Sequence, residues 1–162
     1  MTLFASEDGG SMAVLTVVLL PLILVILSGV LELGYVRLVA DRARIAADLA
    51  AVVAVNDQDE AELARTGTLR PAPDAADVAR VHLAAGLAPI AGSLAESPEA
   101  VAAKADIVVI ERAGGVDPRT GRSYRAPTVR IAADLPIDTP AFAALLGRPI
   151  TVIHLWSASS AR

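Results

Sequence analysis

Residues 12–31 read Met-Ala-Val-Leu-Thr-Val-Val-Leu-Leu-Pro-Leu-Ile-Leu-Val-Ile-Leu-Ser-Gly-Val-Leu, an apolar run without a single charge. At about 1.5 Å per residue in a helix, it matches the roughly 30 Å hydrocarbon core of a bilayer. Pro21 and Gly29 interrupt the run, and both residue types are tolerated in membrane-spanning helices. A cleaved secretory signal would carry a basic segment first and a small-residue cleavage site after. Here Glu7 and Asp8 precede the run, and no Lys or Arg occurs before Arg37. The reading is therefore a membrane anchor near the amino terminus, with the rest of the chain held at a membrane surface.

Helical character continues beyond Leu31. Charges fall at Glu32, Arg37, Asp41, Arg42, Arg44 and Asp48, while Leu38, Ile45, Leu49, Val52 and Val53 lie near heptad spacing. This predicts one continuous helix from about Ser11 to Val55, its first half in lipid and its second half an amphipathic, Ala-rich stalk in need of a partner surface. Asn56-Asp57 ends it, and Asp57 with Glu60 has capping-box spacing for a short helix to about Arg65. Residues 67–73 read as a loop, and Asp74 caps a helix to about Gly86. Ala88 to Pro98 reads as connection.

From there the pattern turns to strands. Asp106-Ile-Val-Val-Ile-Glu111 is β-branched, Gly114 to Arg125 reads as a hairpin connection, and Thr128 to Ala132 alternates like a half-buried strand. Thr139-Pro140 opens a short helix that Gly147 ends, and Ile150 to Trp156 forms the last strand before a small-residue tail from Ser157. The predicted fold class is α+β: a long transmembrane helix and stalk, two short helices, and a small antiparallel β-β-α-β body. The expected division is a leader-like segment over 1–10, helix and stalk over 11–55, and a small domain over 56–162.

Composition limits what this body does. Aromatic residues make up 3 % of the 162 residues, so a core of Ala and Val buries little area per residue. The net charge of −4 argues against a nucleic-acid surface, and the absence of cysteine removes disulfides, thiolate nucleophiles and Cys-ligated metals. His82 and His154 stand apart with no metal-ligand spacing. Ser157, Ser159 and Ser160 lack a nucleophile-elbow pattern, Gly114-Gly115 is no phosphate loop, and Asp106, Glu111 and Asp117 are scattered acids. No catalytic residue, cofactor or metal site and no small-molecule substrate is expected. Arg112, Arg119, Arg122, Arg125 and Arg130 gather on the hairpin as a candidate basic surface for anionic headgroups or an acidic partner, or simply a solvated one.

Gly10-Ser11-Met-Ala-Val, Pro21 within the apolar run, Glu32-Leu33-Gly34 and Ala46-Ala47-Asp48-Leu-Ala-Ala together resemble the amino-terminal signature of TadE/TadG-like proteins of the tight-adherence (Flp) pilus machinery. The carboxyl end, with its Phe-containing helix closing Leu-Leu-Gly before Ile-Thr-Val, resembles that family more weakly. The resemblance implies a structural, non-enzymatic minor pilin (pseudopilin) or assembly component. Its partners would be membrane lipid and other pilus components, its amino terminus cytoplasmic and its body extracytoplasmic. It also implies a candidate prepilin-peptidase site at Gly10-Ser11. The Glu that such substrates carry near the fifth residue after cleavage is absent, since Leu15 and Thr16 stand there.

Pro21, Glu32, Gly34, Ala47 and Asp48 are the motif and helix-packing positions. Ala46, Ala47, Ala50 and Ala51 permit close helix approach. Glu32 reads as the polar boundary of the span, and Gly34 as a site of close packing or a bend. Asp48 either meets a partner's Arg or faces water. Arg37, Arg42 and Arg44 on the carboxyl side pull against the implied orientation. The competing reading is a single-pass anchored binding or sensor module unrelated to pili.

Overall fold

The computed structural model describes residues 8–147 and 149–161. Helix α1 runs unbroken over Asp8–Asn56, passing through Pro21 without interruption. It begins before Ser11, and the part of the leader-like segment over residues 1–7 lies outside the described residues. From Leu15 to Leu31 its large apolar side chains are exposed, between 40 and 73 %. By length and composition this helix can cross a membrane.

The second half of α1 is the centre of the body. Val36, Val39, Ala43, Ala46, Ala47, Ala50, Ala51, Ala54 and Val55 are buried, facing helix α3 (Ala75–Leu87) and the sheet. The sequence reads this stretch as a stalk seeking an outside partner, yet its own chain supplies the surface. Small residues explain the fit: a Cβ added at Gly86 of α3 would lie 2.7 Å from the Cβ of Ala46. Backbones this close leave room only for Gly against Ala. Leu83 and Leu87 fill the space beside that contact, fully buried.

Helix α2 (Glu60–Thr66) is capped by Asp59, not Asp57, through a side-chain bond from the Glu62 N–H. Asp57 is still spent on the end of α1, where its N–H donates to Val53 O at 3.1 Å. The connection after α3 contains a 3₁₀ turn, Ala88–Ser93, and a helix that the apolar pattern did not reveal, α4 (Pro98–Lys104). Its start is nonetheless written locally: Ser97 caps it by accepting from the Ala100 N–H, and Pro98 occupies the first turn.

Strands β1 (Asp106–Ile110), β2 (Thr128–Asp138) and β3 (Ile150–Ser160) form an antiparallel sheet in the order β1-β2-β3. Both β2 and β3 exceed the predicted spans, because each is completed by pairing with the other from Thr128↔Ser160 to Asp138↔Ile150. The expected tail from Ser157 is therefore mostly strand. Pro136 sits in β2 past its last β1 partner at Ala132, where the missing N–H is tolerated. Val129, Ile131, Ala133, Leu135 and Ile137 point into the core. Helix α5 (Pro140–Leu146) joins β2 to β3 and ends at Gly147 with φ 65°, a left-handed backbone that suits glycine. The α+β class and the β-β-α-β order hold.

Candidate functional site

Three surfaces carry the residues singled out by sequence, and the first is where α1 leaves its apolar segment. Glu32 is the first charged residue after the run, and only 6 % of it is exposed. Its carboxylate accepts the Ala141 N–H at 2.9 Å and also the Phe142 N–H. These are orphan donors in the first turn of α5, which every helix must satisfy from outside. The expected N-cap, Thr139, is buried with its hydroxyl 3.4 Å from that of Thr151. The acceptor for α5 comes instead from a helix far away in sequence. Glu32 thus ties the body to α1 at the base of the apolar segment, beyond marking a boundary. A groove of about 440 Å³ beside it is lined by Ser28, Leu31, Tyr35, Asp138 and Pro140.

The remaining motif positions separate. Gly10 and Ser11 lie in the first turns of α1, and Pro21 is exposed on it. A Cβ at Gly34 would meet nothing within 4 Å, so close packing within the chain does not account for that glycine. Ala47 is buried in the body and Asp48 is exposed.

The second surface is the hairpin between β1 and β2. Arg130 is not part of a basic surface: it is 2 % exposed, 2.8 Å from Asp106 Oδ2 and 2.8 Å from Asp117 Oδ2. A buried guanidinium needs such partners, because an unpaired charge in the interior is costly. Asp117 is wholly buried. It accepts the Arg119 N–H and the Thr120 hydroxyl, each at 2.8 Å, and so holds the tip of the hairpin. Burial by itself would raise its pKa. The Arg119 and Thr120 hydrogen bonds and the Arg130 charge outweigh that and hold it below the ordinary aspartate value. Sequence reading treated Asp106 and Asp117 as scattered acids. The Asp-Pro-Arg-Thr-Gly run at 117–121 was the available signal, being an Asx-turn pattern. Arg112, Arg119, Arg122 and Arg125 remain exposed, Arg122 lying 5.5 Å from the centre of the Tyr124 ring.

The third surface is the outer side of β3, an open groove of about 610 Å³ lined by Glu96, Lys104, Asp106, Asp134, His154 and Trp156. Its polar side chains have partners within the chain: Lys104 pairs with Glu96 at 2.7 Å and Asp106 with Arg130, and His154 Nδ1 is hydrogen-bonded to Asp134. Among the described residues, no three His, Cys, Asp or Glu side chains converge as metal ligands would. His82 is exposed on α3, away from His154 on β3.

Residues 10–57 match the family model described as putative Flp pilus-assembly TadE/G-like. That span coincides with α1, and over it the resemblance carried by Gly10-Ser11, Pro21, Glu32-Leu33-Gly34 and Ala46 to Ala51 is borne out. Comparison with curated proteins and with solved structures returns no match. The amino-terminal helix of this chain is thus similar to TadE/G-like pilus-assembly proteins over residues 10–57 and continues into an α+β body.

Proposed function

We propose that this chain is a membrane-anchored minor pilin or assembly component of a Tad/Flp-type pilus, with a structural role exercised through helix association. One observation carries the reading: the matched segment, residues 10–57, is a single helix whose first half is apolar and exposed and whose second half is the core of its own body. Such an element stores the protein in a bilayer and transmits lateral contact in the membrane directly to the folded part. The α1 of this chain is stiffened for that by Glu32, which locks α5 to the exit of the span. The expected partners are lipid around residues 12–31 and other components of the same apparatus.

The orientation that goes with this function has the amino terminus in the cytoplasm and the body outside. Arg37, Arg42 and Arg44 oppose it by the charge rule, and dedicated targeting has to override that bias. Processing at Gly10-Ser11 follows from the same reading. The exposed Arg112, Arg119, Arg122 and Arg125 would then meet an acidic partner or headgroups. The rival function, an anchored binding or sensor module, would use the open groove on the outer side of β3.

Intact mass of the membrane-extracted protein, from cells with and without prepilin peptidase, tests processing. A peptidase-dependent loss of residues 1–10 supports the pilin reading and a cytoplasmic amino terminus. Deleting the gene and counting pili tests the role itself. Normal piliation in the deletion strain would turn attention to the sensor module.

A further inference from the structure

Helix α1 carries an exposed apolar stripe whose lower end, Leu31 and Tyr35, borders the groove beside Asp138 and Pro140. Tyr35, Leu38, Ile45, Leu49 and Val52 are 40 to 66 % exposed, while Val39, Ala43 and Ala50 of the same turns are buried against the body. Positions 35, 38, 42, 45, 49 and 52 alternate steps of three and four, the repeat by which one helix offers a continuous seam to another. Leu31, 65 % exposed, carries the stripe down into the apolar segment. Arg42 is the single polar residue in it.

We infer that this stripe is the seam of a parallel α1–α1 pair between two copies of this chain, formed outside the bilayer as a continuation of the anchor. Two copies anchored in one membrane leave it in the same direction, which imposes the parallel arrangement. With 35, 42 and 49 at a positions and 38, 45 and 52 at d, residues 41 and 48 become g positions. In a parallel pair a g residue lies beside the facing a residue. Asp41 of each copy therefore comes next to Arg42 of the other. Asp41, Arg42 and Asp48 are exposed, and among the described residues none has an ion-pair partner within the chain. A second copy supplies counter-charges to Asp41 and Arg42 by symmetry, while Asp48 falls beside the facing Leu49 at the solvated edge of the seam. A helix lacking an acid at that height would leave the guanidinium unpaired in the seam.

The body buries Val39 and Ala46 on one flank of the seam and borders it at Leu31, Tyr35 and Asp41, but leaves Leu38, Ile45, Leu49 and Val52 open. A seam this short would associate weakly between free helices. Confinement to a membrane raises the effective concentration and offsets that weakness. The inference rests on membrane anchorage alone, so it stands or falls separately from the pilus reading.

The chain contains no cysteine, so single substitutions in the full-length protein report proximity cleanly. In native membranes oxidised with copper phenanthroline, Leu38→Cys and Ile45→Cys should each give a disulfide dimer of twice the chain mass. Arg37→Cys and Arg44→Cys, on another side of the same turns, should remain monomeric. Adding Arg42→Asp to the Ile45→Cys protein should abolish the dimer, and adding Asp41→Arg as well should restore it. Equal cross-linking at 44 and 45, no dimer at either 38 or 45, or a cross-link from 45 to a chain of different mass would overturn the inference. Loss of the pilus phenotype link would leave these outcomes untouched.

Discussion

The Ala141 N–H donates to Glu32 Oε1 at 2.9 Å across 109 residues of sequence. This one contact joins the exit of the apolar segment to the helix that bridges β2 and β3. With the Phe142 N–H, which donates to the same carboxylate, it satisfies free donors in the first turn of α5, a task usually given to the residue just before the helix.

Replacing Glu32 by Ala should therefore loosen α5 in particular. The expected loss is about 1–2 kcal/mol, the usual cost of removing a helix cap. Hydrogen exchange should show faster amides at Ala141 and Phe142 with β2 unchanged. Glu32→Gln keeps one acceptor oxygen and should fall between the two. Uniformly faster exchange throughout the body would contradict a local role.

Two glycines on helices should respond in opposite directions. Gly86→Ala forces a Cβ to within 2.7 Å of the Ala46 Cβ, so α3 must move off α1, at a cost of roughly 1–3 kcal/mol. Gly34→Ala meets nothing and should stabilise the helix by about 0.4–1 kcal/mol through the unfolded chain. Thermal unfolding in detergent reads both. If Gly34→Ala abolishes piliation while raising the melting temperature, the glycine serves a contact outside this chain.

The five arginines of the hairpin region should divide sharply. Arg130→Ala strands two carboxylates that it now pairs, and breaking a buried pair of this kind costs on the order of 3 kcal/mol. Arg112→Ala and Arg125→Ala, both exposed, should change stability by less than about 0.5 kcal/mol. Denaturant midpoints of the three variants decide it. An unchanged midpoint for Arg130→Ala would remove the ion-pair account of the hairpin.

Asp117 makes the hairpin acid-sensitive. Its pKa is lower folded than unfolded, so its contribution is fully present above the unfolded value of about 3.9. It is lost as the pH falls through the lower folded value. The Arg119 amide and the Gly121 amide, which donate to the Asp117 side chain and carbonyl, should lose protection over that window. In Asp117→Asn the same amides should show no transition there. A wild-type transition well above pH 5 would point to another group.

What the amino-acid sequence determined by itself is whatever a few adjacent residues encode. The uncharged run over 12–31, the length of α1, the alternation in β2 and the stop at Gly147 are each legible, because helix and strand periodicities repeat within one or two turns. The TadE/G-like pattern belongs to this class, since its elements all lie along one helix. The cap at Ser97 was equally local, and α4 went unread because a short helix leaves too few turns for a periodic pattern.

Tertiary structure alone decided the rest. Nothing near Glu32 in sequence points to Ala141, and nothing near Arg130 distinguishes a buried guanidinium from a solvated one. The Ala stripe at 46–51 suits any close helix, and only the fold shows that Gly86 of the same chain fills that place. The full lengths of β2 and β3 likewise come from each other. Each of these outcomes depends on which distant backbone arrives at a given distance, and composition and periodicity carry no record of that.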